Sequence, residues 1–405
     1  MPALTIDRLG HRGDGVADGP IYVPRTLPGE LVEGKIIDGR VAAPQILTAS
    51  PSRVSAPCRH YSACGGCALQ HASDDFVDDW KRRVVETALS AHGLAAPIRR
   101  SHVSPQSSRR RATFTGRRTK KGALVGFHAP ASPLISQIPD CLVLRPALLN
   151  SVPTLERLCR LGASRRSEMR FVVTETDTGL DIAATGGKAL DVELRRVVAE
   201  IADTAEVGRV SWNEEPIAQR RKQILTFGTA PLPIPPGAFL QATAEGEAAL
   251  LASVRDAIGE AHSVADLFAG CGTFSLPLAE HAEVHAVEER GDMLAALDAG
   301  WRHGQNLRSV TTESRDLFRR PMLADELKRF GAIVIDPPRA GAEAQTMEIA
   351  KAQPALVAMI SCNPTTFARD AAILTNSGYM LEWIDVVDQF RWSTHIEVAA
   401  KLALK

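Results

Sequence analysis

The stretch MISCNP, residues 359–364, carries an apolar run straight into a thiol. Cys362 ends what reads as a buried strand, and PTTFARDAAILTNSG starts a helix directly behind it. A cysteine near a helix N-terminus has its thiolate stabilised by unpaired N–H groups, so this pattern predicts a lowered pKa and a nucleophile at neutral pH. The plain alternative is a small buried hydrophobe. Glu397, in THIEVAAKLAL, favours chemistry, because an acid in an otherwise apolar final strand is costly unless it has a partner or a proton to move.

A second group of residues reads as a cofactor site. DLFAGCGTFSLPLA places Gly270 and Gly272 immediately after an apolar strand, where the backbone can turn sharply and a ligand can approach its N–H groups. Glu288 ends the next strand, at the distance where an acid takes ribose hydroxyls in nucleotide-binding sheets. The pair points to an adenosine-containing cofactor. Ser275 stands where a dinucleotide fingerprint wants its third glycine, which argues against NAD. Asp316, in ESRDLF, and Asp336, in IDPPR, end two further strands; an Asp there also serves as an ordinary turn or cap residue. The double proline after Asp336 stiffens a loop that lacks donors and turns its carbonyls and the carboxylate into the cleft. A thiolate, a carboxylate and a methyl-donating adenosine cofactor suit one reaction well. Thiolate addition at C6 of uracil turns C5 into an enolate equivalent that can attack an activated methyl group, and a base then removes the C5 proton so that the thiolate is expelled.

Seven cysteines, an odd number with no export signal in view, argue for metal or catalytic roles rather than a disulfide framework. CRHYSACGGC gives Cys58, Cys64 and Cys67 in one cluster, with Cys141 much later in IPDCL. This spacing suits structural zinc and a 4Fe-4S cluster equally. Cys159, in LERLCRLG, reads as a helix core residue, and Cys271 is held in the glycine loop.

The elements that must position these residues follow from patterning. At 405 residues with 45% hydrophobic content the chain suffices for two or three domains with their own cores. No apolar leader and no stretch long enough to span a membrane are visible, so a cytoplasmic protein is expected, and a monomer is the working expectation. Residues 4–47 alternate apolar and polar positions between glycines, as a small β-barrel spanning residues 1–50 would. Residues 51–235 form a mixed α+β central region; in it, DDFVDDWKRRVVETALSAHG has helical periodicity with Phe76, Trp80, Val84, Ala88 and Leu89 on one face. PLPIPPG marks the boundary, and from 236 to 405 SVADLFAG, EVHAVEE, GAIVIDPP and ALVAMISC alternate with helical segments in the βαβ rhythm of an α/β, doubly wound parallel sheet. Net charge is zero, yet residues 99–121 carry nine Lys/Arg and no acid, a run suited to phosphate backbones or to a solvated loop. Phe114 within it is either a stacking platform for a base or a core-facing strand residue.

Taken in order, DLFAGCGTFSLPLA, IDPPRAG, SCNP and the terminal THIE resemble the RNA uracil-C5 methyltransferases, which make 5-methyluridine in ribosomal or transfer RNA. The resemblance implies a class I S-adenosylmethionine methyltransferase fold, with Cys362 as nucleophile and Glu397 as proton acceptor. It places Gln241 in FLQAT, with Phe268, Gly270, Thr273, Glu288, Asp316 and Asp336, on S-adenosylmethionine-binding positions. Thr243 and Thr273 stand where the family usually has Asn, so a side-chain contact from Thr273 departs from the pattern. Many members carry a 4Fe-4S cluster on this cysteine pattern, which implies Cys58, Cys64, Cys67 and Cys141 as its ligands. GHRGDGVA and LPGELVEGKI resemble the RNA-binding TRAM barrel, in a shorter form than usual. By analogy the substrate is RNA, ribosomal RNA before transfer RNA, with the target uridine in a loop or flipped out. Two rivals remain: an amino-group RNA methyltransferase, which would need neither Cys362 nor Glu397, and a non-catalytic RNA-binding or redox-sensing module.

Overall fold

The computed structural model describes residues 3–405; Met1 and Pro2 of the expected barrel lie outside the described residues. Residues 3–48 form a seven-stranded, largely antiparallel sheet in which Ile6, Ala17, Val23, Val32 and Val41, from five different strands, meet in one small core. A central sheet of seven strands runs from Ile135–Ser136 at one edge to Glu215–Gln219 at the other, with Arg111–Arg118 and Glu168–Thr176 side by side in its middle. Helices Val152–Gly162 and Val192–Thr204 pack against this sheet over Phe114, Phe171, Val173 and Trp212. Phe114 is fully buried and stacks on Phe127 at 5.5 Å, so it is a core residue and no platform for a base.

The C-terminal sheet has eight strands in the order Val310–Ser314, Glu283–Glu288, Ser263–Leu267, Ala332–Ile335, Leu356–Ser361, Glu397–Leu404, Tyr379–Asp388, Ile98–Val103. The first five are parallel. Their Val/Ala/Ile content reflects burial on both faces, under helices Ala244–Ile258 and Gly291–His303 on one side and Asp74–Ser90, Glu343–Ala352 and Pro364–Asn376 on the other. Strand order reverses at Ser263–Leu267, whose neighbours are the next strand on one side and Ala332–Ile335 on the other. A ligand crevice therefore opens at its carboxyl end, where the glycine loop begins.

One feature of this sheet departs from the linear division expected from the sequence. Residues 74–103, assigned to the central region, fold with the C-terminal sheet: Ile98–Val103 is its edge strand, parallel to Tyr379–Asp388, and Val85 and Leu89 enter its core. Charge holds the junction. Lys81, almost fully buried, meets the equally buried Asp388 at 2.6 Å, and Arg99 grips Asp385, which also accepts from Ser253 at 2.8 Å. The basic run is likewise not one solvated loop. Arg99 and Arg100 pair with Asp256, Arg110 with Glu247 and Arg117 with Glu168, because a sheet edge and a strand must neutralise the charges they bury.

Candidate functional site

The final strand is antiparallel to Leu356–Ser361, with Ser361 opposite Val398. That register sets Cys362, one residue beyond the end of its strand, beside Glu397 at the start of the other. Both line a cavity of about 400 Å³, and so do Gln241, Phe268, Gly270, Thr273, Glu288, Asp316 and Asp336. The structure thus brings together at one end of the sheet every residue that the sequence proposed for catalysis and cofactor binding.

The cavity floor is the loop after Ser263–Leu267. Its backbone turns through positive φ at Phe268 (65°), Gly270 (56°) and Gly272 (93°). A side chain at Gly272 would put its Cβ 2.8 Å from Leu297, so glycine is demanded by packing as well as by φ. Phe268 accepts a strained conformation, and its ring tilts against Phe318 at 5.4 Å to make an aromatic wall. Glu288 is held from both sides, accepting from the N–H of Gly270 at 3.1 Å and of Arg290 at 3.0 Å, which orients the carboxylate at the loop. Asp316 accepts from the N–H groups of Phe318 and Arg319 at 3.0 and 3.2 Å, so it caps its own turn while lining the cavity. The Gln241 carbonyl accepts from the Gln389 amide at 2.6 Å, and the Gln389 carbonyl accepts from Ala242 N–H at 2.8 Å.

Electrostatics single out the chemical residues. Burial pushes Glu397 up to about 8, helped by Asp336, while Gln389 and Arg339 pull it back. Burial, and then the neighbouring Asp266, push Asp336 up to about 7. Asp266 is itself buried and pushed up to about 7; one of its oxygens accepts from the Ser275 hydroxyl and the other has no partner. Ser275, the residue that breaks the dinucleotide pattern, thus serves this acid. Cys362 corrects an expectation: its thiol is pushed up to about 11, not down, by burial and by Glu397 and Asp336, with Arg339 opposing. The reason is positional, since Asn363 is the N-cap of Pro364–Asn376 and gives its side chain to Thr365 N–H, leaving Cys362 outside the first turn. The carboxyls of Asp336 and Glu397 line the cavity, with Asp266 buried nearby, and such acids suit a cationic ligand, of which a sulfonium is one.

A family profile described as tRNA (Uracil-5-)-methyltransferase matches residues 303–405, the part holding Asp336, Cys362 and Glu397. An uncharacterized RNA methyltransferase of Brucella suis is 44% identical over 402 residues, covering 98% of this chain and 97% of that protein. The 23S rRNA (uracil(1939)-C(5))-methyltransferase RlmD of Halomonas elongata is 34% identical, covering 97% of this chain and 88% of the relative. The chain belongs to the RNA uracil-C5 methyltransferase family. As a member it is an enzyme that uses S-adenosylmethionine and acts on RNA. The crystal structure of Pyrococcus abyssi tRNA (uracil-54, C5)-methyltransferase with S-adenosyl-L-homocysteine matches the fold, with a TM-score of 0.76 over 99% of each chain at 20% identity.

Within this methyltransferase, sequence reasoning missed Asp266, Gln389 and Arg339. Asp266 and Gln389 look like ordinary strand and loop residues until the fold buries them, 0% and 1% exposed, against the site. Arg339, exposed in IDPPRAG, was quoted in a motif but given no role; its charge opposes Glu397 and Asp336 at the thiol. No helix among the described residues is long and apolar enough to cross a membrane.

The cysteines fall into different environments. Cys58, Cys64, Cys67 and Cys141 line a second cavity of about 340 Å³, together with Arg109 and His60. Burial lifts Cys67 to about 12 and raises Cys64 and Cys141, each pushed further by the other thiols. Among the described residues no three His, Cys, Asp or Glu side chains converge closely enough to hold a single metal ion. Cys159 is buried in a helix core and Cys271 in the glycine loop.

Proposed function

We propose that this enzyme methylates C5 of a uridine in RNA, preferentially 23S ribosomal RNA, by covalent catalysis through Cys362. The observation that carries the reading is the antiparallel register that sets a thiol beside a buried carboxyl at the mouth of the glycine-loop cavity. S-adenosylmethionine would be held by Phe268, Gly270 and Glu288 and would supply an electrophilic methyl group. The Cys362 thiolate adds to C6, and the electron pair displaced to C5 takes the methyl as the sulfonium leaves as a neutral thioether. Glu397 then accepts the C5 proton, the C5–C6 double bond re-forms, and the C6–S bond breaks to release the thiolate. With the thiol at about 11 and Glu397 at about 8, neither group is fully ionised at neutral pH in the free protein. A cationic occupant opposes the carboxylates that raise both, so thiolate and base become available together in the loaded site.

The ribosomal preference is supported by the RlmD relative; transfer RNA, named for the Pyrococcus neighbour, is the alternative substrate. The reading extends to the second cavity and the N-terminal sheet. Cys58, Cys64, Cys67 and Cys141 would hold a 4Fe-4S cluster, a reading supported by the four thiols lining one cavity beside Arg109. That cluster would act as a structural staple with no step in the chemistry. Residues 3–48 would serve as a TRAM-like RNA-binding barrel, and the protein would act in the cytoplasm as a monomer. The test is methyl transfer from labelled S-adenosylmethionine to unmodified 23S ribosomal RNA and transfer RNA in parallel, with nucleoside analysis. Label in 5-methyluridine of ribosomal RNA alone is expected. Label in a methylated adenine or guanine, or undiminished transfer by Cys362→Ala, would overturn the thiolate mechanism.

A further inference from the structure

The basic run divides into three populations, one of them Arg109 and Arg111, which lie over Phe390 and Phe239. Arg99, Arg100, Arg110 and Arg117 are ion-paired inside the protein. Arg118, Lys120 and Lys121 have no acidic partner among the described residues, and they do not disperse into solvent. They line a cavity of about 590 Å³ with Arg157 and Arg160, two further arginines that form no ion pair. All five are exposed.

Their arrangement is built by two rigid elements. Strands Arg111–Arg118 and Ala123–His128 are joined by a four-residue turn, closed by Thr119 N–H to the Gly122 carbonyl at 2.9 Å and by Gly122 N–H to the Thr119 hydroxyl at 3.0 Å. That turn holds both lysines at its tip. Helix Val152–Gly162 buries Leu155, Leu158 and Cys159 against the sheet, which turns Arg157 and Arg160, three apart, outward on the opposite side. The one acid lining the cavity, Glu200, is engaged by Arg196. Like charges gathered this closely repel, so the cluster costs stability and gains it back only from an anion.

We propose that this groove is a second RNA-phosphate site, remote from the catalytic cavity, that docks a stem flanking the target uridine. This rests on the reading of the chain as an RNA methyltransferase and adds where the substrate is gripped. Strand Arg111–Arg118 connects the two places. At its start the Arg111 guanidinium lies 5.7 Å over the ring of Phe239, which lines the catalytic cavity. At its end is Arg118, seven residues on, a distance of about 24 Å at ~3.4 Å per residue. An A-form RNA stem advances ~2.8 Å per base-pair step, so about eight to nine steps separate target and groove. Phosphates are favoured over an acidic peptide because five exposed cations without acidic partners form one multivalent array on a protein that acts on RNA.

The test compares full-length protein with Lys120→Ala/Lys121→Ala/Arg157→Ala/Arg160→Ala, none of which touches the catalytic cavity or the thiols. Two synthetic ribosomal-RNA hairpins share the target loop, one with a stem of about four base pairs and one with about twelve. On the long hairpin the variant should bind at least about tenfold more weakly, with a slope of log affinity against log salt shallower by roughly 2 to 4, since each lost phosphate contact removes ~0.7 to 0.9. Binding of the short hairpin and of S-adenosylmethionine should stay within about twofold of the parent. Unchanged affinity and slope on the long hairpin would overturn the proposal, as would equal losses on both hairpins. Selective loss of binding to polyglutamate or to anionic phosphatidylserine vesicles, with RNA binding intact, would overturn it in favour of another partner. Failure of the methyltransferase reading would look different: the parent protein would bind neither hairpin and transfer no methyl group to the long one.

Discussion

Glu397→Gln isolates the consequence of burying an acid beside another acid. The folded chain holds the Glu397 proton up to about pH 8, whereas the ordinary value that governs the unfolded chain is 4.5. Between those two values the folded state binds a proton that the unfolded state has released, so stability falls as the pH rises through the window and the loss is complete above 8. A displacement from 4.5 to about 8 corresponds to at most about 5 kcal/mol at ~1.4 kcal/mol per unit. Part of it passes to Asp336, which loses a neighbouring negative charge in the variant. Glutamine keeps the volume and the hydrogen bond to Gln389 while removing the proton-dependent charge. The variant should therefore match the parent within about 1 kcal/mol near pH 5 and exceed it by roughly 2 to 4 kcal/mol near pH 9. Urea unfolding without the methyl donor reads the difference, using fluorescence of Trp383, on the strand beside Glu397's own, and Trp392, in the loop before it. An unfolding difference that is the same at pH 5 and pH 9 would refute the claim that Glu397 is held protonated by its surroundings.

Cys362→Ala should lower methyl transfer by at least about 10³-fold with cofactor affinity nearly unchanged by calorimetry, as expected when a group acts only in the chemical step. Glu397→Gln, unable to remove the C5 proton, should instead accumulate a protein–RNA adduct that survives denaturing electrophoresis, and Cys362→Ala should form none. Single-turnover rates at saturating RNA and S-adenosylmethionine should rise with pH through an apparent midpoint below about 8, because the base must be ionised and a bound cation lowers the value Glu397 has in the free protein. Gln389→Ala leaves the Gln241 carbonyl and Ala242 N–H without their partners, and at ~1 to 3 kcal/mol per unpaired buried group cofactor affinity should weaken between tenfold and a few hundredfold by calorimetry.

Much of the catalytic domain was legible because its signals are local. A buried parallel strand reads as an apolar run, and the residue ending it lies at the ligand-binding end, which placed Gly270, Glu288, Asp336 and Cys362 without coordinates. What stayed hidden depends on contacts between distant segments. Ile98–Val103 carries an alternation of Arg, Ser and His that suggests a polar loop, yet Asp385, 286 residues after Arg99, and Asp256 neutralise it and make it the eighth strand of the sheet. The Cys362 pKa was misjudged for the same reason. The helix behind it is local and visible, whereas the burial that raises the thiol, and the Glu397 and Asp336 carboxyls that add to it, exist only in the fold. Arg118 and Arg117 are neighbours in one basic run, and only the fold gives Arg117 to Glu168 and leaves Arg118 to the groove.

The same kind of long-range contact ties the cysteine cavity to the catalytic cavity. Ala68 and Leu69, just after Cys67, donate N–H groups at 2.8 and 2.9 Å to the Trp392 carbonyl, holding that residue at a φ of 59° that a tryptophan would not adopt unaided. Arg109, which lines the thiol cavity, lies 5.4 Å over Phe390. Gln389 immediately precedes that ring and is the residue that orients Gln241 and hydrogen-bonds Glu397. Releasing the cysteine segment should therefore slacken residues 389–396 and reach the cofactor through Gln389, although no cysteine of that cavity lines the catalytic one. Cys64→Ser should weaken S-adenosylmethionine binding in the same direction as Gln389→Ala, and the double variant should be weakened by less than the sum of the two, because both act on one loop. Strict additivity would show that the two cavities are energetically independent, and the thiols would then stabilise the central region alone.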